Sequence, residues 1–353
     1  MTKSTNTAPS QSEPNRDEAT ADRAPSPRIS PVGEALRTLY AWPGPFATIY
    51  FDLIEPERDR RWSAVESQLE QSAATAPMIE TARTAIVDGQ HPEDVGAIAV
   101  IVSSEGERLT EYGLEPPLHD FVHVDTLPYV APLLEWVQRR VPHLVITVDE
   151  RGCDLVVFGT RRFTEVVTHD GDLATIVEPV TRAAELIGAE LAVVSGPAFL
   201  ARRLAEDLIV SVPSTCRVVA EEDLSDATEV SNAAVRHVSD AVARQTVGFL
   251  RELRFMATHG AAVDGVADTF EALRRGDAEV LLIHDDINDH RRAFIGERFE
   301  DLALETGTGT STSARLVDAA IRSAIMSGTR VHIIPSTGSR GPDDDTAALR
   351  LDS

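Results

Sequence analysis

The chain has 353 residues, 42% of them hydrophobic and 25% charged, which supplies cores for two or three domains and excludes a disordered protein. Its formal charge is −24, so the averaged field repels nucleic acid and any RNA contact has to be local. Cys153 and Cys216 are the only cysteines, which excludes a disulfide framework and a cysteine-built zinc site and fits a reducing compartment.

No apolar run approaches the roughly 20 residues that cross a bilayer, and the N-terminus is polar rather than basic-then-apolar. The expectation is a cytoplasmic protein with no membrane, DNA, metal or other cofactor partner. Lys3 is the only lysine, so nearly all positive charge is arginine, often paired, as in Arg139-Arg140 and Arg161-Arg162. Arginine forks grip phosphates bidentately and stack on bases; a genome that uses Arg for Lys gives the same pattern.

Residues 1–31 are Ser, Thr, Pro, Asn and charge with little to bury, and read as a disordered tail. A first α/β unit, 32–142, follows. It begins with a short helix through Leu36 and Leu39, a Trp-Pro-Gly-Pro turn at 42–45, and a strand over 46–51. Helical periodicity over 58–87 breaks near Pro77. Strands at 97–102 and 108–112 flank a turn and read as a hairpin, and a helix over 128–140 closes the unit.

The second unit, 143–225, opens with two apolar strands between Leu144 and Phe158, joined by an Asp-Glu-Arg-Gly turn. A third strand at 163–167, a helix through Ile176 and Ile187 that stops at Gly188, and a strand at 191–194 come next. Three strands, a helix and a strand is the order of ribonuclease-H-like sheets. Helix 198–206, strand 217–219 and an acidic hinge at 221–226 finish it.

In the last unit, 226–353, a long helix over 227–258 leads into two helix-Gly-strand repeats. The first is capped by Asp264, ends at Gly276 and feeds strand 280–283. The second is capped by Ser313, ends at Gly328 and feeds strand 331–334. Between them 285–312 reads as a mobile loop, and a final strand lies at 347–350.

The wording Thr-x-x-Ala-Leu-x-x-Gly-x-x-x-x-Leu-Leu-Ile at 269–283, with the late strand and Ala347-Ala-Leu-Arg350, resembles the C-terminal domain of archaeal and eukaryotic class-one peptide-release factors and Pelota. Gly44–Asp52, Pro128–Pro132, Val148–Gly152 and Val194–Gly196 stand in the matching order. Together, over 32–353, they look like the bacterial branch of that superfamily, which includes release-factor-like and peptidyl-tRNA-hydrolase-like proteins and the ribosome-hibernation factor Balon. The resemblance implies three α/β domains, the middle one ribonuclease-H-like and the last similar to kink-turn-binding ribosomal proteins. It also implies entry into the vacant A site of a ribosome, with elongation factor Tu as a possible companion.

Two departures bear on activity. The chain contains no Gly-Gly, and the Asn-Ile-Lys-Ser motif that reads stop codons is absent. Thr168–Asp172, where a Gly-Gly-Gln loop would stand, runs almost directly from strand to helix. The expectation is therefore occupancy of an idle ribosome without release chemistry. The alternatives are peptidyl-tRNA hydrolysis by an atypical loop and an RNA- or protein-binding module off the ribosome.

No catalytic residue is assigned. The candidate RNA contacts are Arg139, Arg140, Arg161, Arg162, His169 and Asp170, the last two taken as a loop tip on a rigid sheet. Tyr40, Trp42 and Phe46 could stack on bases or pack a core. Asp149, Asp154, Glu165, Asp170 and Asp172 raise two-metal nuclease chemistry; His284, Asp286 and His290 have metal-like composition; Ser195 reads as a helix-start hydroxyl. For each, a structural role is the stronger reading.

Overall fold

The structure, a computed structural model, describes residues 31–350 apart from 55, 93–94, 114–118, 160–163, 225, 287, 308, 310–311 and 335–345. The expected disordered tail thus lies outside the described residues, except Pro31, which starts α1. The molecule is mixed α/β, with helices arranged around several sheets.

The N-terminal sheet has the order β3-β2-β1-β4, from β1 (Phe46–Asp52), β2 (Ala97–Ser103), β3 (Arg108–Gly113) and β4 (Phe121–Asp125), all antiparallel. Both central strands are buried along their whole length, because both faces are covered. Ala47, Ile49 and Phe51 pack under α2 (Arg58–Gln71) and α3 (Ala76–Ile86), split as predicted, with Pro77 in the first turn of α3. Phe46 and Tyr50, on the other face, meet α1 (Pro31–Leu39) and α4 (Ala131–Gln138). The helix expected from 128 starts only at Ala131, because β1 holds the preceding backbone. Tyr129 N donates to Thr48 Oγ1 at 3.1 Å, and the Tyr50 hydroxyl donates to Tyr129 O at 2.8 Å.

The middle sheet has the order β7-β6-β5-β8-β9. Its strands are β5 (His143–Val148), β6 (Gly152–Phe158), β7 (Thr164–Asp170), β8 (Leu191–Gly196) and β9 (Arg217–Glu222). The first three form an antiparallel meander; β5, β8 and β9 are parallel. That is the three-strands-then-crossover order the sequence predicts. α5 (Leu173–Ile187) and α6 (Ala198–Ile209) share one core with it through Ile176, Val180, Leu204 and Leu208.

The C-terminal sheet has the order β10-β16-β11-β15, from β10 (Ala262–Asp264), β11 (Ala278–His284), β15 (Arg330–Ile334) and β16 (Thr346–Arg350). α7 (Ala227–Ala257) covers one face through Leu250 and Leu253. α8 (Val266–Arg275) and α9 (Leu316–Ser327) pack on the other through Phe270, Leu273, Val317 and Ile321. Glu221 and Glu222, expected in a hinge, belong to β9, and Asp226 caps α7 by accepting from Thr228 N and Glu229 N.

Three local expectations fail here. The supposed mobile loop builds a second small sheet, β13-β12-β14, from β12 (Arg292–Ile295), β13 (Leu302–Ala303) and β14 (Thr312–Arg315). Its pairing with β12 claims Ser313, so Arg315 and not Ser313 is the N-cap of α9. Likewise Asp264 is held in β10 and Gly265, at φ 90°, takes the N-cap of α8.

The N-terminal and C-terminal sheets share one continuous core, in which Phe46, Tyr50 and Leu133 join Phe270, Leu281 and Ile321.

Candidate functional sites

The end of the middle sheet, where the sequence placed its candidates, is tightly made. Asp149 Oδ1 accepts from Arg151 N at 2.7 Å and Gly152 N at 3.0 Å, fixing the turn between β5 and β6. Gly152 is required, because a Cβ there would lie 1.9 Å from His169 O. Gly171 N donates to Arg151 O at 2.9 Å, and Asp172 already caps α5 by accepting from Thr175 N. His169 and Asp170 are therefore the last residues of β7, opposite Cys153 and Gly152, and not a loop tip.

This end is acidic and wet: Asp149, Glu150, Asp154, Asp170 and Asp172 are exposed, His169 half-buried, and Asp154 accepts from Thr168 Oγ1. Burial, then Asp154 and Asp149, push the Cys153 thiol up to about 11, so it is no thiolate nucleophile at neutral pH.

Among the other candidates, Arg139 sits half-exposed beside Glu135 at 2.6 Å. Arg140 reaches inward, donating to Tyr112 O at 2.6 Å, with Glu111 at 3.6 Å. Arg161 and Arg162 lie outside the described residues. Tyr40 and Phe46 are buried and present no stacking face, and Trp42, half-buried, packs against the same core. Ser195 is not a helix-start hydroxyl; it is fully buried inside β8, 3.4 Å from Thr147 Oγ1. Asp286 is tied into its own turn by accepting from Asn288 N. Among the described residues no three of His, Cys, Asp and Glu converge where they could hold a metal ion.

A second cluster, which the sequence did not reveal, lies where β14 and α9 meet the N-terminal sheet. Arg315, 4% exposed, donates to Asp285 Oδ1 and, at 2.8 Å, to Asp286 O, and its guanidinium carbon stands 4.9 Å over the Tyr129 ring. The Tyr129 hydroxyl donates to the other oxygen of Asp285. Arg292 forks onto Asp125 at 2.7 and 3.1 Å.

Burial, then the Asp285 charge, push the Tyr129 phenol up, so it stays a donor. Asp125 is pushed up by burial, but hydrogen bonds from Arg292 and Thr126 N outweigh this and hold it low. Asp318 has no exposed surface, and its one contact to Arg315 is long, 3.3 Å. Burial raises its carboxyl to about 8 despite that cation, whereas Arg315 is itself held high against burial by Asp318 and Asp285. The pair is weak, since Arg315 spends its closest bond on Asp285 and Asp318 Oδ2 has no partner among the described residues. The cluster therefore clamps two parts of the chain; it offers no exposed nucleophile or base.

No family model matches the chain. It is similar to two uncharacterized proteins of Mycobacterium tuberculosis, Rv2629 and MT2704, each 23% identical over 298 residues that cover 71% of this chain and 77% of theirs. The solved structures it matches include translation termination factors and Pelota. The archaeal termination factor aRF1 is 15% identical with a TM-score of 0.25, covering 90% of this chain and 96% of its own. Pelota of Archaeoglobus fulgidus is 14% identical at 0.39, covering 90% and 92%. Dom34 of S. cerevisiae, a translation termination-like factor that interacts with Hbs1, is 10% identical at 0.42, covering 90% and 91%. No described helix is long and apolar enough to cross a membrane.

Proposed function

We propose that this is a ribosome-associated, release-factor-like protein of the cytoplasm that occupies the A site of idle ribosomes without Gly-Gly-Gln chemistry, in three domains at 32–142, 143–225 and 226–353. The ribosomal part of the reading rests on the ordered motifs from Gly44 to Arg350. The non-catalytic part is carried by one observation: between Asp170, which ends β7, and Asp172, which caps α5, stands the single residue Gly171. A catalytic loop that reaches a peptidyl-tRNA ester needs chain to reach with, and this junction has none to spare.

The proposed RNA contacts are Arg139, Arg140, Arg161, Arg162, His169 and Asp170. Of the described ones, Arg139 and Asp170 present most to solvent, and Asp170, an anion, suits a ribose hydroxyl or a base amino group better than a phosphate. Elongation factor Tu is the proposed companion on entry.

The test has two readouts. The purified chain is sedimented with ribosomes from starved cells at physiological salt, and is incubated with peptidyl-tRNA to follow ester cleavage. Co-sedimentation without cleavage is expected. Failure to sediment removes the ribosomal reading, and cleavage with turnover that disappears on changing His169 and Asp170 to Ala replaces it with a hydrolase.

A further inference from the structure

α7 buries different faces at its two ends. Val230 and Ala234 near its start pack on Val145 of the middle sheet, whereas Leu250 and Leu253 near its end pack on the C-terminal sheet. Beyond the middle sheet, the face opposite Leu250 and Leu253 is left to solvent. On it stand Arg244, Val247, Gly248, Arg251, Arg254 and Phe255, spaced three, four and seven apart and so on one stripe.

Three features of this stripe point to a partner. First, Arg244, Arg251 and Arg254 are exposed, and none forms an ion pair or hydrogen bond among the described residues, whereas Arg236 of the same helix faces Glu221 at 3.9 Å. Asp240 precedes the stripe by one turn, and Glu252, on its flank, is the one acid from 241 to 257. A local excess of positive charge is unusual in a chain of net charge −24.

Second, Phe255 is 63% exposed and leans on His259 with ring centroids 4.5 Å apart and planes tilted by 39°, an exposed aromatic side chain at the end of the arginine row. Third, Gly248 stands mid-helix, where glycine is unfavourable, although a Cβ there would meet nothing within 4 Å. Nothing in the fold requires that glycine; close approach of another molecule would.

We propose that this stripe of α7 is a docking surface for the phosphodiester backbone of a folded RNA, with the three guanidinium groups on phosphates, Phe255 against a base or ribose, and Gly248 letting the backbone come close. That the RNA is ribosomal rests on the function proposed above.

The test compares the full-length chain with Arg244→Glu/Arg251→Glu/Arg254→Glu and, separately, with Gly248→Leu. Binding is measured both to ribosomes and to a fluorescent RNA hairpin across a salt series, with a melting curve for each variant. The triple variant is expected to bind the hairpin tenfold or more weakly. The slope of log K against log salt should flatten by about 0.7 to 0.9 for each phosphate that the variant no longer neutralises. Gly248→Leu should melt no lower than wild type and still bind worse, a combination that damage to the fold cannot give.

Hairpin binding by wild type that both variants retain, or no hairpin binding by wild type, overturns the proposal. Loss of ribosome binding with hairpin binding intact assigns the stripe to an acidic protein surface and overturns it as well. If wild type binds the hairpin through the stripe but not ribosomes, the stripe stands and the ribosomal reading falls.

Discussion

Gln138 and Ile333, 195 residues apart in sequence, are paired as two strand residues would be. The Gln138 amide donates to Ile333 O at 2.9 Å, and Ile333 N donates back to Gln138 Oε1 at 2.6 Å. β15 is the edge of the C-terminal sheet, so the side chain of the last residue of α4 closes an otherwise open edge. Gln138→Ala should cost about 1–3 kcal/mol, the penalty for unmet buried backbone groups. Urea denaturation reads the loss, and faster hydrogen exchange at the Ile333 amide locates it; unchanged exchange there would refute the pairing.

Asp318 makes stability depend on pH. Its carboxyl is raised from 3.8 to about 8 in the folded chain, so the folded state holds a proton that the unfolded state has released. The contribution is whole below pH 3.8 and drains away as pH rises towards 8. Asp318→Asn, permanently neutral, should be more stable than wild type at pH 8 by on the order of 5 kcal/mol and should flatten the decline above pH 5. Melting temperatures of both proteins across pH 5–8 decide it; parallel curves would count against a protonated Asp318.

His332 works in the opposite sense. It is 4% exposed, tilted against Phe249 with centroids 4.7 Å apart, and 3.1 Å from Thr246 Oγ1. Burial, then Arg330, lower its pKa from 6.5 to about 4. The unfolded chain therefore takes up a proton that the folded chain refuses. This stability is present above pH 6.5 and is lost as pH falls towards 4. His332→Gln should remove on the order of 3 kcal/mol of acid-side loss, visible as a smaller drop in urea midpoint between pH 6.5 and 4.5.

Two glycines should respond oppositely to the same change. Gly196 has φ 138°, and a Cβ there would lie 2.1 Å from Val148 O, so Gly196→Ala forces β8 from β5 and should cost about 2 kcal/mol or more. Gly248 has open space around it, and Gly248→Ala should gain about 0.5–1 kcal/mol. Thermal melts of the two variants compare them directly, and a gain at Gly196 would contradict the close approach of the two strands.

Much of the fold was legible. Gly188, Gly276 and Gly328 end their helices at φ 62°, 71° and 92° as their positions predict, because only glycine enters that conformation without strain. The meander-then-crossover order of the middle sheet was readable from apolar runs and turn residues. The sheet within 285–312 was not: its strands are two to four residues long, too short to show alternation. The Ser313 and Asp264 caps failed for a related reason, since strand pairing had already taken both residues.

Of the candidate sites, the sequence located the short junction at 168–172, because a missing loop is a fact of chain length. It could not show that Arg140 turns inward, or that Arg244, Arg251 and Arg254 stay unpaired among the described residues. On the chain all are arginines amid acids, and whether a guanidinium finds a carboxylate depends on which segments pack beside it.

What the sequence determined by itself is local: the helix and strand periods, the glycine stops, the excess of negative charge, and the absence of a Gly-Gly-Gln loop. The tertiary structure alone decided the clamp of Tyr129, Asp285 and Arg315, the closure of β15 by Gln138, and the two faces on which α7 is buried. Those contacts join residues 30 to 195 positions apart. Their free energy comes from desolvation and geometry that exist only after the sheets have docked, and no pattern along the chain encodes it.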